Sequence, residues 1–213
     1  MSLHNETAIK VAEYLLQIKA IKLQPDNPFT WTSGWKSPIY CDNRVSLSHP
    51  MVRTYIRQQL THLINEEFGP VGAIAGVATA GIPQGVLVAQ ELGLPFAYVR
   101  AEAKKHGMNN QIEGELKHGD RIIVIEDLIS TGKSSLAAVE ALRAAGHDVV
   151  GLVSIFNYGF TQTEEAFKEA KCVFHSLSNY NFLIDEALKN GYINKGHLET
   201  LVAWRENPST WGQ

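Results

Sequence analysis

Two adjacent acids and a turn of small residues stand out in the middle of the chain. Residues 122–134 read IIVIEDLISTGKS, so an apolar run ends at Glu126 and Asp127 and a small-residue turn follows over 130–134. Backbone N–H groups of such a turn, at a helix N-terminus, can hold a phosphate, and the carboxylates can accept hydrogen bonds from sugar hydroxyls. The alternative is an ordinary turn whose acid or hydroxyl only caps the helix, but capping does not need two adjacent acids. The pattern therefore predicts a site for a phosphorylated sugar.

A cluster of cations precedes the acids. Arg100 is followed by Lys104, Lys105 and His106. An arginine holds two phosphate oxygens with its planar fork, lysines act as point charges, and a histidine can donate a hydrogen bond or change protonation near neutral pH. The alternative is a solvated loop, the usual meaning of a charged run. Its position between a predicted strand and Gly107 favours a mobile lid that closes and excludes water.

The surrounding elements would bring these residues to one edge of a sheet. Candidate strands cover 72–77, 96–99, 121–126, 149–156 and 172–175. Helical spacing covers 7–20, 48–67, 82–92, 133–145, 179–190 and 196–205. We expect Thr7 to cap the first helix, and 25–44, rich in turn residues and aromatics, to be irregular with short strands. Apolar strands joined by helices indicate a parallel α/β sheet covered on both faces, in which ligands bind beyond the carboxyl ends of the strands.

Composition narrows the class of protein. The 213 residues are 45% hydrophobic and 19% charged, which suits one globular domain with a continuous core. With 19 basic and 22 acidic residues the net charge is −3, which argues against a nucleic-acid or membrane partner. Cys41 and Cys172 form no CxxC pair, no apolar run approaches the roughly 18 residues of a membrane span, and the N-terminal residues resemble no signal peptide. We expect a cytoplasmic protein.

Several stretches of the sequence together resemble a known protein family. Residues 122–134 are similar to the phosphoribosyl-pyrophosphate (PRPP) signature of type I phosphoribosyltransferases, and 98–107, YVRAEAKKHG, to the catalytic loop of the orotate phosphoribosyltransferases among them. PFTWTSGWKSPIYCDNR at 28–44 resembles that branch's F-T-x-x-S-G-x-x-S-P segment, and GVATAGIP at 76–83 resembles its pyrophosphate loop. The match spans roughly residues 25–160 in the right order. It implies the type I fold, a central parallel sheet flanked by helices with a small hood from the N-terminal segment.

The resemblance implies transfer of ribose 5-phosphate from PRPP to orotate, giving orotidine 5′-monophosphate and pyrophosphate, in pyrimidine biosynthesis. The implied catalytic residues are Arg100, Lys104, His106 and Asp127. The implied PRPP contacts are Arg100, Lys104, Lys105, His106, Glu126, Asp127, Leu128, Ile129, Ser130, Thr131, Gly132, Lys133 and Ser134. Ser130 matches the position that contacts orotate, and Mg²⁺ would be carried by PRPP with no direct protein ligand. The family pattern also implies a homodimer in which the 100–111 loop reaches the neighbouring site.

Some positions depart from the family's pattern. Thr32, Ala80 and Ala101 stand where the best-known branch has lysines. Cations that could compensate towards PRPP are Lys36, Arg44 and Arg53. Asn157 stands where some relatives use an arginine for the orotate carboxylate, so we expect recognition of orotate to rely on backbone N–H groups and Ser130.

Several alternatives remain open. A purine or uracil phosphoribosyltransferase would share the PRPP signature, and a non-catalytic regulator that senses PRPP is a rival from another class. The 76–83 segment could be an ordinary glycine-rich turn, and Phe29 and Tyr40 could shape a base pocket or simply pack in the core. We divide the single domain into a hood with flanking helices (1–70), the PRPP-binding core (71–175) and C-terminal helices (176–213).

Overall fold

Helices and strands alternate along the chain in the computed structural model, which describes residues 3–31, 33–101 and 111–212. The helices are α1 (Leu3–Gln17), α2 (Pro50–Glu67), α3 (Gly81–Leu92), α4 (Lys133–Ala144), α5 (Thr161–Glu169), α6 (Tyr180–Lys189) and α7 (Leu198–Glu206). The strands are β1 (Ile21–Leu23), β2 (Phe29–Thr30), β3 (Lys36–Ser37), β4 (Ile39–Cys41), β5 (Ala73–Val77), β6 (Phe96–Val99), β7 (Ile112–Glu113), β8 (Arg121–Ile129), β9 (Asp148–Asn157) and β10 (Phe174–Asn179). Short 3₁₀ helices cover Asn43–Ser48 and Lys195–His197.

A six-stranded sheet forms the centre of the molecule. Its strand order is β10-β9-β8-β5-β6-β7, and every neighbouring pair is parallel except β6 and β7. The predicted parallel α/β architecture is therefore confirmed. Because parallel strands end at the same edge, the carboxyl ends of β5, β6, β8 and β9 lie side by side there.

Two hydrophobic clusters cover the two faces of this sheet. Ile123 and Ile125 of β8 belong to a cluster that also contains buried side chains of α1, α2 and α3. Ile122 and Val124 point the other way, into a cluster with side chains of α4 and α5. Successive strand residues face opposite sides, so an uninterrupted apolar run is what a strand buried on both faces requires.

The N-terminal segment forms two short antiparallel pairs, β1 with β4 and β2 with β3. The C-terminal helix α7 supports the second pair through Trp204, which is fully buried. The Trp204 ring centroid lies 5.7 Å from that of Trp31, and its Nε1 donates a hydrogen bond to the carbonyl oxygen of Lys36 at 3.2 Å. Helix α7 therefore packs against the hairpin formed by β2 and β3.

Several element bounds differ from the sequence-based predictions. Strand β8 continues to Ile129, three residues beyond its predicted end, because its pairing with β9 continues through Ile129. Thr7 lies inside α1, where its hydroxyl donates to the side chain of Gln59, so the prediction that it caps the helix is wrong. Strand β10 crosses the 175/176 boundary of the division into hood, core and C-terminal helices, and that division stays a prediction. In the described ranges, none of the helices combines the length and apolar character needed to cross a membrane.

Candidate active site

Glu126 and Asp127 lie near the carboxyl end of β8, inside the strand. Glu126 is only 5% exposed. Its Oε1 accepts a hydrogen bond from the Asp127 backbone N at 3.0 Å, and its Oε2 accepts one from the Ser135 hydroxyl at 3.3 Å. Because Ser135 is in α4, this contact ties the start of that helix to the acid pair.

The electrostatics of the pair are unfavourable in the free protein. Burial raises the pKa of Glu126 well above its ordinary value, and the neighbouring negative charge of Asp127 raises it further. Burial also raises the pKa of Asp127. A buried and a partly buried carboxylate side by side therefore favour binding of a proton or of hydroxyl and cationic groups that compensate their charge.

The turn after β8 presents an uncapped helix N-terminus. Gly132 is the N-cap of α4 and has φ +75, and among the described residues no side chain accepts a hydrogen bond from this helix end. A Cβ at Gly132 would lie 2.6 Å from the Phe167 ring, so both the backbone conformation and the space require glycine. Thr163 Oγ1 holds the other side of the turn by donating to the carbonyl oxygen of Ser130 at 2.6 Å. Free N–H groups at a helix N-terminus form an anion site.

The segment 76–83 brings α3 against the end of β8. A Cβ at Gly81 would contact the carbonyl oxygen of Ile125, and one at Gly76 would lie 2.9 Å from the carbonyl oxygen of Gly81. These glycines therefore allow close helix–strand packing, and they bring the Val77–Gly81 connection beside the acids. The Ala78–Thr79 peptide bond in this connection is cis.

A buried polar network links the N-terminal segment to the acid pair. Asn43 Nδ2 donates to the carbonyl oxygen of Asp127 at 2.7 Å, and its Oδ1 accepts from the Cys41 thiol at 3.3 Å. The Ser46 hydroxyl donates to the Asn43 carbonyl oxygen at 2.6 Å, and Gln84 Nε2 of α3 donates to that hydroxyl at 3.3 Å. Asn43 is 1% exposed, so its amide is committed to these contacts.

Next to the turn lies an aromatic cavity of about 470 Å³. Its lining residues are Thr30, Trp31, Ser33, Trp35, Tyr40, Cys41, Leu128, Ser130, Thr131 and Tyr158. Tyr40 is 41% exposed, so its ring remains open to solvent and is not ordinary core packing. Phe29 lies behind it, with ring centroids 5.6 Å apart, and is absent from the described lining. The cavity can hold a planar ring directly beside the turn at residues 130–134.

The predicted PRPP-binding residues of the central stretch lie together at this edge. Ser130 and Thr131 line the cavity, whereas the side chain of Ile129 is fully buried, so any ligand contact from Ile129 would use its main chain. Arg100 follows β6 at the same edge, where its Nη1 lies 3.4 Å from Glu113 Oε1. Lys104, Lys105 and His106 lie outside the described residues.

The three cations suggested as substitutes for missing lysines differ in their partners. Arg44 pairs with Asp42, with Nε–Oδ1 and Nη2–Oδ2 distances of 2.6 and 2.9 Å. This contact is the main cause that lowers the pKa of the Asp42 carboxyl. Arg53 Nη1 donates to the carbonyl oxygen of Leu47 at 2.8 Å. Lys36 Nζ instead donates to Thr30 Oγ1 at 2.8 Å, at the cavity.

Sequence reasoning missed several residues of the site. Neither the three aromatic residues Trp31, Trp35 and Tyr158 nor the buried Asn43 was expected in it. For Tyr158 a signal was available in the sequence. Successive side chains at the end of β9 point to opposite sides, so Tyr158 faces away from Asn157. Asn157 lines a separate polar pocket with Arg205. In the ranges the structure covers, no group of three or more His, Cys, Asp or Glu side chains is arranged to hold a metal ion.

A parallel α/β sheet with an acid pair, an uncapped helix N-terminus and an aromatic cavity at its strand ends has the features expected of proteins that bind a phosphorylated sugar. Comparison with known proteins agrees with this class. The sequence profile described as "Phosphoribosyl transferase domain" matches residues 51–190. The chain is 58% identical over 200 residues to an orotate phosphoribosyltransferase of Phocaeicola vulgatus, covering 94% of each chain. It is 54% identical over 199 residues to that of Staphylococcus saprophyticus, covering 93% of this chain and 98% of the relative.

A solved structure is similar over most of its length as well. The crystal structure of orotate phosphoribosyltransferase from Aeropyrum pernix has a TM-score of 0.75 and 27% sequence identity, covering 86% of this chain and 99% of that one. The chain therefore belongs to the phosphoribosyltransferase family and, within it, to the orotate phosphoribosyltransferases.

Proposed function

We propose that the protein transfers ribose 5-phosphate from PRPP to orotate and releases orotidine 5′-monophosphate and pyrophosphate, a step of pyrimidine biosynthesis. The observation that carries this proposal is the juxtaposition of three features at one sheet edge. An uncapped helix N-terminus, an acid pair whose Glu126 is buried, and an aromatic cavity lie next to one another. They match, in that order, the phosphate, the ribose and the flat base that the reaction joins.

In this proposal PRPP lies across the carboxyl ends of β5 and β8. The 5′-phosphate binds the N–H groups and hydroxyls of the turn formed by Ser130, Thr131, Gly132, Lys133 and Ser134, while Leu128 and Ile129 lead into it. The ribose hydroxyls donate hydrogen bonds to Glu126 and Asp127. Those bonds compensate two carboxylates whose pKa values are raised in the free protein, so ribose binding relieves an unfavourable arrangement.

The chemical step exchanges one bond at C1 of the ribose for another. The bond from C1 to the pyrophosphate oxygen breaks while N1 of orotate bonds to C1, and the proton of N1 passes to the departing pyrophosphate. Positive charge develops on the ribose during this step, and negative charge develops on the leaving group. Arg100, Lys104, Lys105 and His106 act on the pyrophosphate, where fixed cations stabilise the developing charge. The Asp127 carboxylate stabilises the positive ribose. Arg100 is held by Glu113 in the free protein, so substrate has to compete for it.

The aromatic cavity accepts the base. Ser130 supports the assignment because it belongs both to the phosphate turn and to the cavity lining, next to the place where the new bond forms. The rings of Tyr40 and Trp35 offer flat apolar surface to a pyrimidine. Contacts with backbone N–H groups and Ser130 complete its recognition.

Mg²⁺ suits this site as an ion carried by the substrate. Magnesium keeps several waters and is bound largely through substrate phosphates, so PRPP and water would supply its ligands and no side chain of this chain is assigned as a direct ligand. The ion would neutralise part of the pyrophosphate charge.

We extend the proposal to assembly, location and organisation. The protein acts in the cytoplasm as a homodimer, without nucleic-acid or membrane partners, and the 100–111 loop of one protomer serves the site of its partner. Residues 1–70 form the hood and flanking helices, 71–175 the PRPP-binding core, and 176–213 the C-terminal helices.

A base panel tests the reaction. The protein is incubated with Mg²⁺ and PRPP, and orotate, hypoxanthine, adenine and uracil are supplied separately while pyrophosphate release is measured. We expect pyrophosphate release only when orotate is the base that is supplied. Consumption of a purine or of uracil would instead identify a different phosphoribosyltransferase, and PRPP binding without turnover of any base would identify a regulator.

Two aspartate variants control the assay. Asp127→Asn removes the charge beside the ribose, and we expect kcat to fall about 100-fold. Asp148→Asn makes the same change at an exposed residue that begins β9, at the opposite edge of the sheet. We expect this variant to keep wild-type kcat, and equal losses in both variants would contradict the placement of the site.

A further inference from the structure

Orotate carries a carboxylate that a neutral pyrimidine lacks, so a selective site has to compensate a negative charge. None of the described residues that line the aromatic cavity is charged. The hydroxyls of Ser130 and Thr131 can donate hydrogen bonds, but a hydroxyl does not discriminate strongly between a carboxylate and a neutral oxygen. A cation at the cavity would add that discrimination.

Asn157 does not fill this role in the structure. Its side chain lines the polar pocket with Arg205, whereas the next residue, Tyr158, faces the aromatic cavity. Strand geometry causes the separation, because successive side chains point to opposite faces. A contact with the base carboxylate therefore has to come from another element.

Lys36 lies beside the cavity on the β2–β3 hairpin, where it contacts a lining residue although it is not one of the described lining residues itself. Lys36 and Thr30 are register partners across the two strands, and Nζ of the lysine lies 2.8 Å from Oγ1 of the threonine. Thr30 is itself a lining residue. In the part of the chain that the structure describes, Lys36 forms no ion pair, while Arg44 pairs with Asp42. Its cation therefore remains available to a ligand.

The backbone of Lys36 is fixed even though its side chain is exposed. Trp204 Nε1 donates to the Lys36 carbonyl oxygen, and the Trp204 ring packs against Trp31 of the same hairpin. A fixed backbone with a flexible four-carbon stem lets the ammonium group move from the Thr30 hydroxyl to a carboxylate that enters the cavity.

We propose that Lys36 is a specificity-determining residue that binds the carboxylate of the base and so favours orotate over neutral pyrimidines. This inference rests on the proposed function, because it names the charge partner of the substrate in the same site. It differs from the expectation that Lys36 compensates for lysines that contact PRPP. The two roles predict different kinetic constants.

The test separates the two substrates. Lys36→Gln and Lys36→Arg are compared with the wild type, and Lys168→Gln serves as control because Lys168 is an exposed lysine in the last turn of α5. KM is measured for orotate and for PRPP, and the inhibition constant of the neutral amide of orotate is measured with the amide as a competitor of orotate. Wild-type turnover of orotate reports on the proposed function alone, and the difference between variants reports on Lys36.

We expect Lys36→Gln to raise the orotate KM about tenfold, while the PRPP KM changes by less than about twofold. Inhibition by the neutral amide stays unchanged, and Lys36→Arg keeps the orotate KM within about threefold of the wild type because the charge is retained. Added salt should raise the orotate KM of the wild type more than that of Lys36→Gln. A parallel rise in the PRPP KM, or equal losses for orotate and its amide, would overturn the assignment.

Discussion

Glu126 is held in the folded protein in an environment that opposes its ionised form. It is 5% exposed and adjoins Asp127, and both burial and this neighbour raise its pKa. The group is thus more easily protonated in the folded chain than in the unfolded chain. Its favourable contribution is fully present below the unfolded pKa and is lost as the pH rises through the folded pKa.

Glu126→Gln should therefore stabilise the free protein while weakening the site. We expect the variant to unfold at a higher denaturant concentration than the wild type at about pH 8, with the difference shrinking towards about pH 4.5. PRPP affinity should fall, because the ribose loses a charged acceptor. Urea denaturation at several pH values and PRPP titration measure the two effects.

Glu140→Gln is the matched control for that experiment. Glu140 is an exposed residue of α4, so the substitution should change stability by less than about 0.5 kcal/mol at any pH. If Glu126→Gln showed the same flat pH dependence, the unfavourable environment of Glu126 in the free protein would be disproved.

The positions of the candidate site residues could be predicted where the order of residue types is diagnostic and not where packing decides, and their chemical roles stay predictions. The acid pair and the small-residue turn were recognised because their order along the chain is sufficient. Asn43 contacts Asp127 across 84 positions, and no local pattern signals such a contact. The face on which Asn157 points depends on the register of β9, which the sequence does not determine.

At the scale of the element, the conformation of the turn at residues 130–134 depends on Gly132. Its φ of +75 and the nearness of the Phe167 ring both oppose a side chain. Gly132→Ala should lower the free energy of unfolding by about 2–4 kcal/mol, since backbone strain adds to a clash, and should raise the PRPP KM. Denaturant unfolding and steady-state kinetics measure these changes.

Gly191→Ala separates the two causes. Gly191 has φ +74, but a Cβ there would meet nothing within 4 Å. We expect this variant to lose only about 1 kcal/mol, from backbone strain, and to keep the wild-type PRPP KM. Equal effects of the two variants would show that the contact with Phe167 has no role.

The 3₁₀ helix that contains Asn43 couples the N-terminal segment to β8. Asn43→Ala leaves the buried carbonyl oxygen of Asp127 without its donor, so the free energy of unfolding should fall by about 1–3 kcal/mol. Because Asp127 is then less well positioned, kcat should fall more than the KM for PRPP rises. Asn5→Ala, at an exposed asparagine of α1, is expected to alter neither kcat nor the KM for PRPP. A fall in stability with unchanged kcat would leave Asn43 with a structural role only.

The elements themselves were predictable to the extent that they are apolar runs. Strand β6 was predicted with its observed bounds, whereas the end of β8 was missed because its last residues include the polar acids of the site. Strand β10 reads FHSLSN, which lacks an apolar run, and it was predicted too early. Its pairing with β9 supplies the stabilisation that its own composition does not indicate.

At the scale of the whole molecule, the proposed exchange of loops between protomers has a direct test. Lys104→Ala disables the loop and Asp127→Asn disables the core, and each variant alone should be nearly inactive. In a mixed dimer that shares loops, one site carries both defects and the other carries neither. Equal mixing should restore about a quarter of wild-type activity, since half of the dimers are mixed.

The control is to mix each variant with further copies of itself, which should restore nothing. Recovery that grows with the time allowed for exchange of subunits would support the shared loop. If mixing restores no activity although exchange is demonstrated by differently tagged subunits, the loop serves its own protomer.

The contact between α7 and the β2–β3 hairpin gives the molecule an optical property. Three of the four tryptophans, Trp31, Trp35 and Trp204, lie in or directly behind the aromatic cavity. Most of the intrinsic tryptophan emission therefore originates at the place where we propose that the base stacks. Occupancy of the cavity should be readable without a label, as quenching of that emission when orotate is titrated into the protein.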